Sequence, residues 1–228
     1  MTNIYIVGSG KLAVELLKEL RLGQKYLISA WADRRYQSES SIVIHAGSGR
    51  ELQDVIDYCK QTDSILIELS TEASLKLADL SISVIQCPNT NILMLKFMNM
   101  IEKSGQNFSQ YQISITESHQ ANKSSIPGTA VAMARALDLP AEQIESVREV
   151  DRQLSELSIP EQNLARHAYH RIEISDGNSC SILLETRVLG VAPYAEGVRE
   201  IIIALGRRRD SLEKRLYSVM ELIENKWI

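Results

Sequence analysis

Three cysteines in 228 residues, an odd count with no C-x-x-C spacing, leave Cys59, Cys87 and Cys180 without a disulfide framework or a zinc site to build. Buried thiols in a reducing compartment are expected, and with them a cytoplasmic location. No apolar run approaches the ~18 residues of a membrane span. The first strand begins so close to Met1 that the charged and apolar regions of a signal peptide have no room. A formal net charge of -4 gives no footprint for nucleic acid, and Gly206-Arg207-Arg208-Arg209-Asp210 reads as a solvated helix end between two helices. Internal repeats, low-complexity tracts and long Gly/Ser linkers are absent, so a domain boundary has to show as a change of structural pattern. What is present, 44% hydrophobic and 24% charged residues, suits a globular chain with one or two cores.

Ile4-Tyr5-Ile6-Val7, the turn Gly8-Ser9-Gly10-Lys11-Leu12-Ala13 and the run Val14 to Leu20 read as strand, glycine turn and amphipathic helix. This is a G-x-G-x-x-A dinucleotide fingerprint: Gly8 permits the tight turn, Gly10 lets a pyrophosphate approach, and Ala13 packs the helix on the sheet. Lys11 and Leu12, opening that helix, are further expected cofactor contacts. A second strand, Tyr26 to Trp31, ends at Asp33-Arg34-Arg35, about 20 residues past Ala13, where the fingerprint places a ribose partner. Asp33 suits ribose hydroxyls, while Arg34 and Arg35 can pair with a 2′-phosphate, so NADH and NADPH both stay open. Strands at Ile42–His45 and Ser64–Leu69, with a helix over about Glu51 to Lys60 between them, predict a doubly wound parallel sheet. Its cofactor loops are expected at His45-Ala46-Gly47-Ser48-Gly49 and at Ser70-Thr71, with His45 a loop or cofactor-contact residue.

From Tyr111 the pattern changes to longer strands: Gln112–Thr116, Glu145–Asp151, Ala168–Ser175 and Ser179–Leu189, the last two joined by an Asp176-Gly177-Asn178 turn. One helix, Gly128 to Leu137, lies among them, which predicts a mixed sheet covered on one face. Strands this long at a sheet edge need partners, so association into a homo-oligomer is expected. His167 and His170 lack a third metal ligand and read as strand or loop residues, so no metal is expected. A final helix is read with Leu212, Leu216, Val219, Leu222 and Ile223 on one stripe.

The densest chemistry lies in Glu117-Ser118-His119-Gln120-Ala121-Asn122-Lys123-Ser124-Ser125-Ile126-Pro127-Gly128-Thr129-Ala130. The first of the four strands delivers His119 into a loop at a sheet end. Beyond it, Thr129 is read as the N-cap of a helix, with Gly128 opening its backbone to a ligand. An imidazole that titrates near neutral pH, an ammonium and a helix start together suit an anionic substrate that receives a proton.

With these pieces together, the chain resembles the 4-hydroxy-tetrahydrodipicolinate reductase family over most of its length. That family carries a glycine fingerprint, an acid-arginine pair after the second strand, and the signature E-x-H-H-x-x-K-x-D-x-P-S-G-T-A. Here Glu117, His119, Lys123, Pro127, Gly128, Thr129 and Ala130 match the signature, and Asp33-Arg34 the pair. Cys87-Pro88-Asn89-Thr90-Asn91-Ile92 resembles the family's crossing into its second domain, and Glu185-Thr186-Arg187 through Val198 a stretch near its end. The resemblance implies that His119 is the general acid and that Lys123 contacts or helps protonate the substrate. It also implies that Gln120, Gly128 and Thr129 hold the substrate, and that Pro88 and Asn89 line the cofactor site. Hydride would pass from NADH or NADPH to a small anionic cyclic substrate. The departures are Gln120 for a second histidine, one residue fewer between Lys123 and Gly128, and Ser125 where an aspartate is expected. Glu68-Leu69-Ser70-Thr71 also stands for a glycine-flanked G-T-T-G loop.

The expectation is therefore a Rossmann-like doubly wound domain over 1–90 and 196–228 and an α+β domain with a mixed open sheet over 91–195. The first binds the dinucleotide; the second binds substrate and builds the oligomer. The expected activity is NAD(P)H-dependent reduction of 4-hydroxy-tetrahydrodipicolinate or a close analogue. The alternatives are a reductase of another cyclic imine or enamine carboxylate, and a nonenzymatic dinucleotide sensor.

Overall fold

Short runs of consecutive buried aliphatic residues build the first sheet. Strands β1 (Thr2–Val7), β3 (Ile42–His45) and β4 (Ile65–Glu68) bury four successive residues each, as strands covered on both faces do. With β2 (Tyr26–Ala30), β5 (Val84–Gln86) and β10 (Leu216–Ser218) they form a six-stranded sheet in the order β10-β5-β4-β3-β1-β2, parallel throughout. The computed structural model describes residues 1–34, 40–70, 81–123, 126–190 and 194–228. The chain divides into two compact units, Met1–Ile92 with Tyr194–Ile228, and Leu93–Pro193.

In the first unit, helix α1 (Lys11–Glu19) follows β1 and buries Ala13 and Leu16. Helix α2 (Leu52–Thr62) follows β3 and ends where Asp63 turns left-handed, its φ of 51° letting Ser64 N–H reach the Cys59 carbonyl. Helix α6 (Ala195–Arg208) begins with Gly197 against the carbonyl of Thr90, a contact with no room for a Cβ. Strand β10 replaces most of the expected final helix. Leu216 and Tyr217 pair with Val84 and Ile85 of β5, and only α7 (Val219–Glu224) is helical, capped by the Ser218 hydroxyl.

The second unit opens with α3 (Ile92–Ser104) and contains a mixed sheet in the order β7-β6-β8-β9. Strand β6 (Gln112–His119) runs parallel to β7 (Ile144–Val147) and antiparallel to β8 (His167–Ser175). The latter pairs antiparallel with β9 (Ser181–Leu189). Helix α4 (Gly128–Ala136) covers one face, setting Ala130, Met133 and Ala134 against Ile115, Ile172 and Ile174. In the β8–β9 turn, Gly177 adopts φ 79° and the Asp176 carboxylate accepts the amides of Asn178, Ser179 and Cys180.

Two expected elements differ. The strand read over Glu145–Asp151 stops at Val147, and Val150–Ser155 is a helix, α5, whose Arg152 pairs with Glu156 one turn on. The N-cap of α4 is Pro127, in extended conformation, so Thr129 lies within the first turn instead of capping it. Proline at φ -65° is already set to lead into a helix, which moves the start two residues earlier than the hydroxyl suggested.

Candidate functional site

Five adjacent parallel strands, β2-β1-β3-β4-β5, bring most of the expected cofactor residues to one end of the first sheet. From β1 the chain passes to β2 on one side and resumes at β3 on the other, which makes the β1/β3 boundary the topological switch point. Gly8 sits there at φ 117°, and a Cβ on it would lie 2.7 Å from the Ala46 carbonyl oxygen, so only glycine fits. Gly10 is the N-cap of α1 with no side-chain cap, and a Cβ on it would meet nothing within 4 Å. Open space beside uncapped amides is what a phosphate requires. Lys11 is exposed and Leu12 half-buried at the same helix start.

Asp33 ends a short 3-10 turn after β2 and is exposed. The Arg34 guanidinium lies 4.1 Å from the centre of the Trp31 ring and donates to the Trp31 carbonyl. Arg35 and Thr71 lie outside the described residues, as does Ser125. Pro88 is exposed just past β5, and the Asn89 carboxamide accepts the Asn91 amide. His45 closes β3 at the expected strand end, but it is not a loop residue: it has no exposed surface and sets Nδ1 2.9 Å from the Glu68 carboxylate. Its strand position is fixed by pairing with Glu68 in the β3–β4 register.

The second unit gathers the proton chemistry. His119 is the last residue of β6, a strand position where a loop was expected. Strand alternation puts Glu117 on the same face, and His119 Nδ1 lies 2.9 Å from Glu117 Oε2. The other carboxylate oxygen accepts from the Ser146 hydroxyl and the Arg148 guanidinium. Burial would raise the Glu117 pKa, but hydrogen bonds from His119, Arg148 and Ser146 outweigh it and hold the group at about 2. An ionised carboxylate at Nδ1 keeps the proton on that nitrogen and leaves Nε2 as the proton-exchanging atom.

Arg148 does a second thing: its Nε donates to the Lys123 carbonyl at 2.9 Å. One guanidinium thus fixes both the partner of His119 and the backbone that carries Lys123. Gln120 and Lys123 close a turn through Lys123 N–H to the Gln120 carbonyl, and both are half-buried. Gly128 is exposed with nothing within 4 Å of a Cβ, and Thr129 follows it in the uncapped first turn of α4.

Sequence reasoning missed Arg148, Gln153 and the place of two histidines. Gln153 is buried and donates to the Ser118 hydroxyl and to the carbonyls of His119 and Val147. His170 sits opposite Glu117 in the β6–β8 register, its ring 5.7 Å from that of His119. His167, three positions earlier and so on the other strand face, bonds Ser118 through Nε2 and the Asn163 carbonyl through Nδ1. Burial, then the neighbouring His119, pushes His170 down to about 4, and burial lowers His167. Among the described residues no group of three or more His, Cys, Asp or Glu side chains could hold a metal.

Both buried groups have folded pKa values below their ordinary ones, so each contributes stability at neutral pH that is lost in acid. For His170 the loss runs from pH 6.5 towards about 4, and for Glu117 from 4.5 towards about 2. Each shift corresponds to about 3 kcal/mol. Denaturant melts between pH 7 and 4 should show falling stability, and the fall should flatten in His170→Leu. An unchanged slope in that variant would contradict the assignment of this loss to the buried imidazole.

No protein-family profile matches the chain. The chloroplastic 4-hydroxy-tetrahydrodipicolinate reductase 2 of Arabidopsis thaliana is 28% identical over 123 residues, 51% of this chain and 35% of that protein. A probable 4-hydroxy-tetrahydrodipicolinate reductase 1 of Oryza sativa subsp. japonica is 30% identical over 123 residues, 51% and 36%. The matched region thus spans about a third of the length of these curated relatives. Among solved structures, a dipicolinate-bound dihydrodipicolinate reductase from Paenisporosarcina sp. TG-14 superposes over 98% of this chain and 99% of its own. Its TM-score is 0.67 at 16% identity. A C. glutamicum DAP dehydrogenase in complex with DAP reaches 0.51 at 8% identity over 96% and 93%. These structures share the fold. Over half its length the chain is similar in sequence to 4-hydroxy-tetrahydrodipicolinate reductases, and over nearly all of it the chain shares the fold of a dihydrodipicolinate reductase.

Proposed function

We propose that the protein is an NAD(P)H-dependent reductase of 4-hydroxy-tetrahydrodipicolinate or a close analogue. The observation that carries this reading is the Glu117–His119 pair, locked by an arginine that also holds the Lys123 backbone. The first unit suits the cofactor: Gly8 is forced by its turn, Gly10 opens onto free space, and Asp33 is exposed for a ribose. A bound reduced nicotinamide would supply hydride. Lys123 and the amides of Gly128 and Thr129 hold the substrate carboxylates. Glu117 keeps the His119 Nδ1–H pointed inward, and Nε2 delivers the proton, directly or through a water, to the atom made basic by hydride addition. Gln120 hydrogen-bonds the substrate but cannot titrate, which favours an analogue as the second reading. A homotetramer or homodimer and a cytoplasmic location belong to the same proposal. Support for assembly comes from β9, which ends its sheet with Leu183 53% exposed. No described helix is long and apolar enough to cross a membrane.

Dipicolinate, the ligand of the Paenisporosarcina structure, tests the anion site. Calorimetry should show binding, and Lys123→Met should weaken it roughly 10- to 100-fold, the worth of one charge-assisted hydrogen bond. Equal binding by Lys123→Met would remove Lys123 from the substrate site.

A further inference from the structure

Beneath the contact of Gly8 with Gly47 lies a buried polar cluster that the proposed reaction does not use. His45 and Glu68 are register partners at the carboxyl ends of β3 and β4, and neither has exposed surface. Glu68 Oε1 accepts from two directions: His45 Nδ1 lies 2.9 Å away, and the Ser70 amide donates at 2.8 Å. A Cβ on Gly47 would stand 3.0 Å from His45 Nε2, 3.2 Å from Glu51 Oε2 and 3.6 Å from Gly8 Cα, so the cluster reaches the switch point itself. Three of its buried atoms have no hydrogen-bond partner among the described residues: His45 Nε2, Glu51 Oε2 and Ser70 Oγ, while both Glu68 oxygens lie within 2.9 Å of His45 Nδ1. Buried polar groups are nearly always paired, and unpaired ones concentrate where a ligand or water completes the set.

The direction of a bound dinucleotide follows from the sheet. Its pyrophosphate belongs at the start of α1, and its adenosine ribose at Asp33 beyond β2, so the remaining half runs the other way, over the ends of β3 and β4. There Glu68 occupies the Ser70 amide, and among the described residues the Ser70 hydroxyl has no partner.

We propose that the buried His45–Glu68 pair is a positioning device that sets the Ser70 hydroxyl to recognise the carboxamide half of the dinucleotide. This rests on the reading of the first unit as a dinucleotide site. Glu68 fixes the backbone of Ser70, His45 fixes Glu68, and the hydroxyl offers the carboxamide one donor and one acceptor. Neither His45 nor Glu68 touches the ligand.

Titrating the full-length protein separates the two halves of the ligand. NADH and NADPH carry the carboxamide; ADP-ribose and 2′-phospho-ADP-ribose do not. Ser70→Ala should weaken the preferred reduced dinucleotide about tenfold, the worth of one hydrogen bond, and leave the matching ADP-ribose within twofold. Glu68→Ala should act in the same selective way, and Glu68→Gln, which keeps an acceptor for the Ser70 amide, should recover most of the loss. Equal weakening of both ligands in Glu68→Ala would mean a merely structural pair, and unchanged dinucleotide affinity in Ser70→Ala would overturn the assignment even if Glu68→Ala fails to fold. Wild-type protein that bound neither ligand would end the dinucleotide reading, and this inference with it. Wild-type protein that bound ADP-ribose no less tightly than the dinucleotide would end the inference alone.

Discussion

His119→Gln should lower kcat about 100-fold or more while leaving dipicolinate and cofactor affinities within a few-fold. General acids contribute roughly 10² to 10⁴ in rate, and glutamine keeps a hydrogen-bond donor without a proton to give. The selectivity follows from how the ring is held. Glu117 has no exposed surface and three side-chain partners, so its carboxylate stays in place when the imidazole is replaced by an amide. A variant with undiminished kcat would place the proton elsewhere.

Gly197→Ala should produce the largest loss of stability of any single methyl addition in the first unit, at least about 3 kcal/mol. The added Cβ would overlap the Thr90 carbonyl oxygen, which is backbone and cannot rotate away, while Thr90 Oγ1 donates to the Tyr194 carbonyl at 3.0 Å and ties the same segment to the start of α6. Gly10→Ala is the matching control. Its φ of -76° suits alanine and its Cβ meets nothing, so the variant should melt like wild type. It should bind dinucleotide less tightly, because the methyl enters the space proposed for phosphate. A Gly197→Ala protein with an unchanged denaturation midpoint would mean that α6 and the Thr90 turn can separate at little cost.

The elements that sequence exposes most fully here are those with local causes. The strand, glycine turn and helix of residues 2–19 form one contiguous unit, and each glycine has a backbone reason visible in its spacing. The mixed sheet was legible for the same reason, through alternation in β6, β8 and β9 and the turn at Asp176-Gly177-Asn178. What escaped depends on partners distant in the chain. Strand β5 has three residues, and β10 has three more some 130 positions later, so neither carries a period of its own. Leu216 looked helical because it continued an apolar stripe, and its place beside Val84 was decided by the open edge of the sheet. The candidate site shows the same division. His119 and Lys123 sit within one motif, whereas Arg148 and His170 reach Glu117 only through the registers of β6 with β7 and β8. Reading Glu145–Asp151 as a single strand hid Arg148 further, since the guanidinium lies where β7 ends and α5 has not begun.

In the proposed function, a reduced nicotinamide gives a hydride to an anionic cyclic imine and His119 completes the addition with a proton. Purified protein mixed with NADH or NADPH and freshly generated 4-hydroxy-tetrahydrodipicolinate should consume the reduced-nicotinamide absorbance, with the rate all but lost in His119→Gln. Retained dinucleotide binding with no oxidation, across this substrate and a panel of related cyclic imine carboxylates, would contradict the claim and leave a sensor in its place.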